Sequence, residues 1–170
     1  IAEPSFRPYL FSLAPSTSKE PNITAISDYT WQANKPVTQT SHYAFTSYLN
    51  EPLALELSPT SAEVNLAYPP NSNPQLEQLA NQLRIDYDNV EERSQVILNM
   101  IAQQDFFYTL QPPLLINNSL DQFFFATKAG FCVHYASAYT FLMRASGVPA
   151  RVVTGYLGGE YNGKSGVDVN

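Results

Sequence analysis

The sequence predicts an α+β fold, on three observations. The first sixty residues carry strand and turn signals with little helical periodicity. Residues from Leu76 to Ala102 repeat their apolar positions at helical spacing. Near the C-terminal end, one almost wholly apolar helix runs directly into a β-branched and aromatic stretch. With 170 residues, 44% of them hydrophobic and 13% aromatic, the chain can bury one sizeable core and a smaller second lobe. The expected organisation is a β-rich region over 1–60, a linker over 61–75, and a second domain over 76–170.

In the first region, Ser41 to Leu49 is rich in Tyr, Phe and Thr. Leu53, Leu55 and Leu57 alternate with Ala54, Glu56 and Ser58 as a half-buried strand does. Asn34-Lys35-Pro36 and Asn50-Glu51-Pro52 punctuate these runs as turns. Together they predict a small antiparallel subdomain with Trp31 anchoring its core and His42 at an exposed strand position.

Tyr68 to Pro74 is a loop by composition, and it launches a helix. Asn73 is suited to cap it and Pro74 to its first position, while Leu76, Leu79, Ala80 and Leu83 share a face. A second helix is expected from about Val90 to Ala102. Asp88 and Glu91 form a box-like cap, Glu91 and Glu92 complement the dipole, and Val90, Ile97 and Ile101 line one face. Phe106 to Leu110 reads as a short aromatic strand ended by Gln111-Pro112-Pro113. Ser119-Leu120-Asp121-Gln122 then has capping-box spacing for a short helix. The aromatic run Phe123, Phe124 and Phe125, with Phe131, reads as core packing rather than as the wall of a cleft, and Asp121 and Lys128 as polar surface.

Val133 to Ala145 is apolar nearly all round, as a helix inside a core is. Arg144 in its last turn, Gly147 at a left-handed position, Val148 folding back and Pro149 forbidding continuation signal where it stops. Ala150 to Leu157 reads as a strand, with Gly155 marking a close backbone approach. At the other end, Gly130 allows a sharp turn, so Cys132 falls at the helix N-terminus, where unpaired N–H groups and the macrodipole favour an anion. A thiolate is such an anion, and the same N–H groups suit a developing oxyanion. Position alone leaves a second reading open, in which Cys132 is a small buried hydrophobe.

The run K-A-G-F-C-V-H-Y-A-S-A-Y-T-F-L-M-R-A-S-G-V-P-A-R-V-V-T-G-Y decides between them, because it resembles the nucleophile region of the transglutaminase-like superfamily. The matching positions are Gly130, Cys132, Arg144, Gly147, Val148, Pro149, Ala150, Arg151, Gly155 and Tyr156. The resemblance implies a papain-like α+β core in which a buried Cys-bearing helix packs on antiparallel strands. In it Cys132 attacks an amide carbonyl, and a downstream histidine and aspartate complete a triad. The chain departs from that pattern, since no histidine follows His134. His134, two residues from Cys132, points roughly 200° round the helix and is assigned to packing or a hydrogen bond near the site.

The opening FRPYLFSL, the β-rich region and the cysteine domain together resemble the extracytoplasmic portion of bacterial membrane-anchored transglutaminase-like proteins. With Ile1 at the start and the triad partners missing, the chain reads as a piece of a longer, membrane-anchored polypeptide, incomplete as a domain and inactive by itself. Its substrate would be a protein or peptide amide. A net charge of −6 with nine basic residues argues against nucleic acid, and no apolar run approaches a membrane span. One cysteine excludes an internal disulfide and a thiolate zinc site. The chemistry needs no cofactor. Some family members use calcium, but no acidic calcium loop is present. An open sheet edge beside Arg151 to Leu157 would invite self-association. A non-catalytic binding or scaffolding domain of the envelope is the rival from another class. An arylamine acetyltransferase-type enzyme is disfavoured by the R-A-S-G-V-P-A-R ending.

Overall fold

A computed structural model describes residues 2–26, 29–51, 57–155, 160–161 and 167–168. The chain divides into two compact units, Ile1–Glu56 and Leu57–Asn170.

The first unit is all β among its described residues. Strands β1 (Tyr9–Leu10), β4 (Trp31–Ala33) and β3 (Ile23–Ala25) form an antiparallel sheet in the order β1-β4-β3. Strands β2 (Ser16–Thr17) and β5 (Thr46–Ser47) pair separately. Trp31 anchors the core with Leu10 and Val37. Its indole N–H donates to Ser16 Oγ at 3.0 Å, so the one polar atom of the ring does not go unpaired. The strand expected over Ser41 to Leu49 shrinks to Thr46–Ser47, and His42 is exposed but lies in no strand. Of the alternating leucines, Leu53 and Leu55 lie outside the described residues, and Leu57 is exposed.

The second unit opens with a helix that no apolar periodicity announces. In α1 (Pro59–Leu66), Ser58 caps Ser61 N–H at 3.1 Å and Pro59 takes the first helical position, yet no residue of the helix is buried. Capping chemistry alone was the available signal. The next two helices, α2 (Pro74–Asp86) and α3 (Val90–Gln103), fall where the leucine and isoleucine spacing places them. The cap of α3 is corrected: Asn89, not Asp88 with Glu91, accepts from Glu91 and Glu92 N–H at 2.7 and 3.1 Å.

The aromatic strand is present as β6 (Phe107–Tyr108), paired in parallel with β7 (Ala129–Gly130). Between them α4 (Ser119–Asp121) runs on into a widened π turn over Gln122–Thr127. Two expectations fail here for one reason. Ser119 does not cap, because Asn73 Oδ1 reaches across to accept the N–H groups of Leu120 and Asp121 at 2.9 and 3.1 Å. Asp121 is not surface but 2% exposed, its carboxylate accepting Gln75 and Leu76 N–H at 2.9 Å each. Each helix start is thus capped by a side chain from the other, a long-range exchange that local spacing does not encode.

The last long helix, α5 (Cys132–Ala145), packs its C-terminal two-thirds into the core. Ala138, Phe141, Leu142, Met143 and Ala145 are buried with Leu76, Ala80 and Leu83 of α2, Ile97 of α3, and Phe123 and Phe124. Each large apolar side chain buried there contributes about 1.5–3 kcal/mol. The helix stops as its sequence predicts. Gly147 sits at φ +88°, its N–H bonds Arg144 O at 3.0 Å, and Val148 N–H returns to Met143 O at 2.8 Å, a Schellman closure.

Beyond it the expected strand is not formed over Arg151–Gly155, and Tyr156 and Leu157 lie outside the described residues. Ala150 is taken by other partners. Its N–H goes to Asn65 O at 3.0 Å, and its carbonyl accepts Arg144 Nε at 2.6 Å. A Cβ on Gly155 would meet nothing among the described residues, so no close approach explains that glycine. Strands β8 (Glu160–Tyr161) and β9 (Val167–Asp168) pair antiparallel.

Candidate active site

Cys132 is the first residue of α5, and it is exposed. This removes the buried-hydrophobe reading. It opens onto a hollow of about 450 Å³ with three walls. The end of α3 supplies Ile101, Ala102 and Gln104, the approach to β6 and that strand supply Phe106 and Tyr108, and α5 supplies Cys132 and Tyr135. Among the described residues no charged side chain lines it. The rings of Tyr108 and Tyr135 stack at 6.2 Å with planes 19° apart, and Phe106 lies 5.9 Å from Tyr135. Burial pushes the Tyr135 hydroxyl above its ordinary range, and the neighbouring Tyr108 adds to the effect.

Three devices hold the cysteine at that spot. The β6–β7 ladder fixes the strand before it: Phe107 N–H donates to Lys128 O at 2.7 Å and Thr109 N–H to Gly130 O at 2.8 Å. The π turn closes with Lys128 N–H on Phe123 O at 2.8 Å, burying Phe123 and Phe124 beneath the site. Finally, Gly130 is a close-approach glycine rather than a turn glycine. A Cβ there would lie 2.8 Å from Cβ and Cγ of His134 and 2.9 Å from Phe123 Cε2.

In the first turn of a helix the N–H groups have no intrahelical acceptor, so those of Cys132 and Val133 are available to a developing negative charge. His134 is engaged elsewhere: its Nδ1 accepts the N–H of Phe131 at 3.3 Å.

Two larger hollows lie elsewhere. One of about 730 Å³ borders Ser137, Phe141 and Arg144 on another face of α5, and one of about 590 Å³ lies in the first unit. Neither includes Cys132, so chemistry rather than size selects the site.

The family model of the transglutaminase-like superfamily matches residues 77–169. The chain belongs to the transglutaminase-like superfamily. It is 36% identical over 162 residues to a protein-glutamine gamma-glutamyltransferase of Pseudomonas aeruginosa, across 95% of this chain and 24% of that protein. An uncharacterized protein of Bacillus subtilis, YebA, is 35% identical over 96 residues, 54% of this chain and 13% of its own length. Crystal structures of the periplasmic domain of TgpA from Pseudomonas aeruginosa, one of them bound to ethylmercury, superpose with TM-scores of 0.89 and 0.88 at 36% identity. They cover 94% of this chain and 58% and 56% of those chains. The chain therefore spans about a quarter of that full-length relative and somewhat more than half of the solved domain.

The transglutaminase-like fold explains why Cys132 stands out as a candidate in the sequence while the residues that hold its helix do not. The G-x-C spacing and the R-A-S-G-V-P-A-R helix end are local. Asp121 and Asn73 act through partners far away in the chain, and the buried Arg93 joins two near carbonyls to a distant one. Arg93 donates to Tyr87 O, Asp88 O and Ser146 O at 2.8, 3.0 and 2.6 Å, tying the start of α3 to the end of α5. In the sequence Arg93 simply follows Glu91 and Glu92, and nothing local marks it as buried. Among the described residues no three His, Cys, Asp or Glu side chains converge as metal ligands. No helix there is long and apolar enough to cross a membrane.

Proposed function

We propose that Cys132 is the nucleophile of a transglutaminase-type acyl transfer on protein glutamine, carried out in a periplasmic domain of a membrane-anchored protein. The observation that carries this reading is an exposed cysteine at the first position of α5, opening onto an uncharged aromatic hollow. The glutamyltransferase relative and the periplasmic placement of TgpA support the substrate and the compartment.

In this chemistry the Cys132 thiolate attacks the side-chain amide carbon of glutamine. The C–S bond forms as the carbonyl π pair moves onto oxygen, where the N–H groups of Cys132 and Val133 receive it. Collapse breaks the C–N bond, and ammonia leaves with a proton from the general acid. An amine then attacks the thioester, giving a new amide and regenerating the thiol; water in its place gives glutamate. The hollow's lack of charge suits a neutral carboxamide. The family pattern puts the base on a histidine downstream of the nucleophile, and none follows His134 here, so these 170 residues alone should not turn over.

The test is incorporation of a fluorescent primary amine into a glutamine peptide by the protein with its flanking sequence. Cys132→Ala should lower the rate by a factor on the order of 10⁴ or more. An unchanged rate in that variant overturns the assignment. Turnover by the 170-residue chain, abolished in C132A, would show that the base lies within it. A longer protein that neither transfers nor hydrolyses would leave the non-catalytic binding domain as the better reading.

A further inference from the structure

Phe131, the residue before α5, has no polar side chain with which to cap the helix. Its N–H donates instead to Nδ1 of His134 at 3.3 Å, while His134 N–H returns to Phe131 O at 2.8 Å. This is the reciprocal half of a capping box, built from an imidazole in place of a glutamate. The ring is held from two sides. Its centroid lies 4.5 Å from that of Phe131, edge to face, and 5.5 Å from that of the fully buried Phe123. The third side is Gly130, where any Cβ would sit 2.8 Å from the Cβ and Cγ of His134. The space a side chain would take at Gly130 is filled by His134.

We propose that His134 is a positioning residue for Cys132. By accepting the Phe131 N–H and filling the space over Gly130, it fixes the turn so that Sγ of Cys132 and the free N–H groups beside it face the hollow together. The inference rests on the reading of Cys132 as the nucleophile and adds what aims it. An unpaired, partly buried N–H is costly enough to rotate a short turn toward another acceptor. A displacement of about 1 Å at a reacting atom lowers rates on the order of a hundredfold.

Two substitutions separate the acceptor from the ring. His134→Phe keeps an aromatic ring against Phe131 and Phe123 but offers no acceptor. His134→Asn gives up the ring but places an amide oxygen near the position of Nδ1. The readout is alkylation of Cys132 by iodoacetamide at neutral pH, in which a sulfur–carbon bond forms and iodide leaves. Cys132 is the sole cysteine of the 170 residues, so the signal is unambiguous. Each rate is divided by that of the same chain unfolded in urea, and a cooperative thermal transition confirms folding; His134→Leu replaces H134F if that variant does not fold.

The folded wild type should react faster than its unfolded form. H134F should lose about tenfold of that rate and H134N stay within about twofold. Equal reactivity of H134F and wild type, or equal losses in both variants, overturns the positioning role while leaving the nucleophile in place. A folded wild type no faster than its unfolded form overturns the positioning role, while the nucleophile reading stands or falls on the Cys132→Ala assay.

Discussion

The two ends of α5 are built on opposite plans. The C-terminal end is buried and over-determined: a Schellman closure on Gly147, Arg93 on the last carbonyl, and Arg144 reaching Ala150 O and Ala67 O at 2.6 and 2.7 Å. The N-terminal end is open. Val133 is 57% exposed, the cap is an imidazole on a phenylalanine N–H, and the neighbouring N–H groups are left without intrahelical acceptors. The same helix therefore spends its packing at one end and keeps its unsatisfied polarity at the other. Stability and chemistry are separable along it.

The largest expected effect comes from breaking the buried end. Arg93→Ala leaves the carbonyls of Tyr87, Asp88 and Ser146 without their charged donor and should cost about 3–5 kcal/mol in urea unfolding. Under native conditions the alkylation rate of Cys132 should stay within about twofold of wild type, because none of those bonds reaches the first turn of α5. A large change in that rate would show that the two ends are coupled.

Asp121→Ala probes the link between the ends and should cost less, about 2–3 kcal/mol. It strips the caps from Gln75 and Leu76, and it loosens the segment that leads through the π turn to Gly130. Stability and Cys132 reactivity should therefore fall together, unlike the outcome at Arg93. Asp121→Asn, which retains an acceptor oxygen, should recover part of both.

This contrast also explains what the sequence could tell. The buried end was legible because its devices are local: Arg144, Gly147, Val148 and Pro149 lie within six residues and each has one physical meaning there. The helices α2 and α3 were legible from apolar spacing. The supports of the open end were not. Asn73 reads as the cap of its own helix and Asp121 as polar surface until two distant helix starts are brought together and each residue caps the other's helix. Gly130 reads as a turn glycine until His134 is seen in the space beside it. Arg151–Gly155 has strand composition, but the Ala150 carbonyl and N–H that lead into it are claimed by Arg144 and Asn65. Composition reports what a segment tolerates, and the available partners decide what it does.

The smallest expected effect lies in the hollow itself. Burial raises the Tyr135 hydroxyl above its ordinary value of 10.0, and charge on the stacked Tyr108 pushes the same way. The folded chain thus holds this proton more tightly than the unfolded chain does. Below the ordinary value both states are protonated and the group gives no slope. Between the ordinary and the raised value the folded state binds more protons, so stability declines as pH rises through that window. Urea unfolding at about pH 8 and about pH 11 should show wild type losing slightly more stability than Tyr135→Phe. The difference should be small, because a half-buried phenol is partly screened by water. Identical pH slopes in the two chains would mean that water reaches Tyr135 freely. The aromatic wall would then not desolvate the site beside Cys132, and the open end of α5 would be open on every side rather than only toward the hollow.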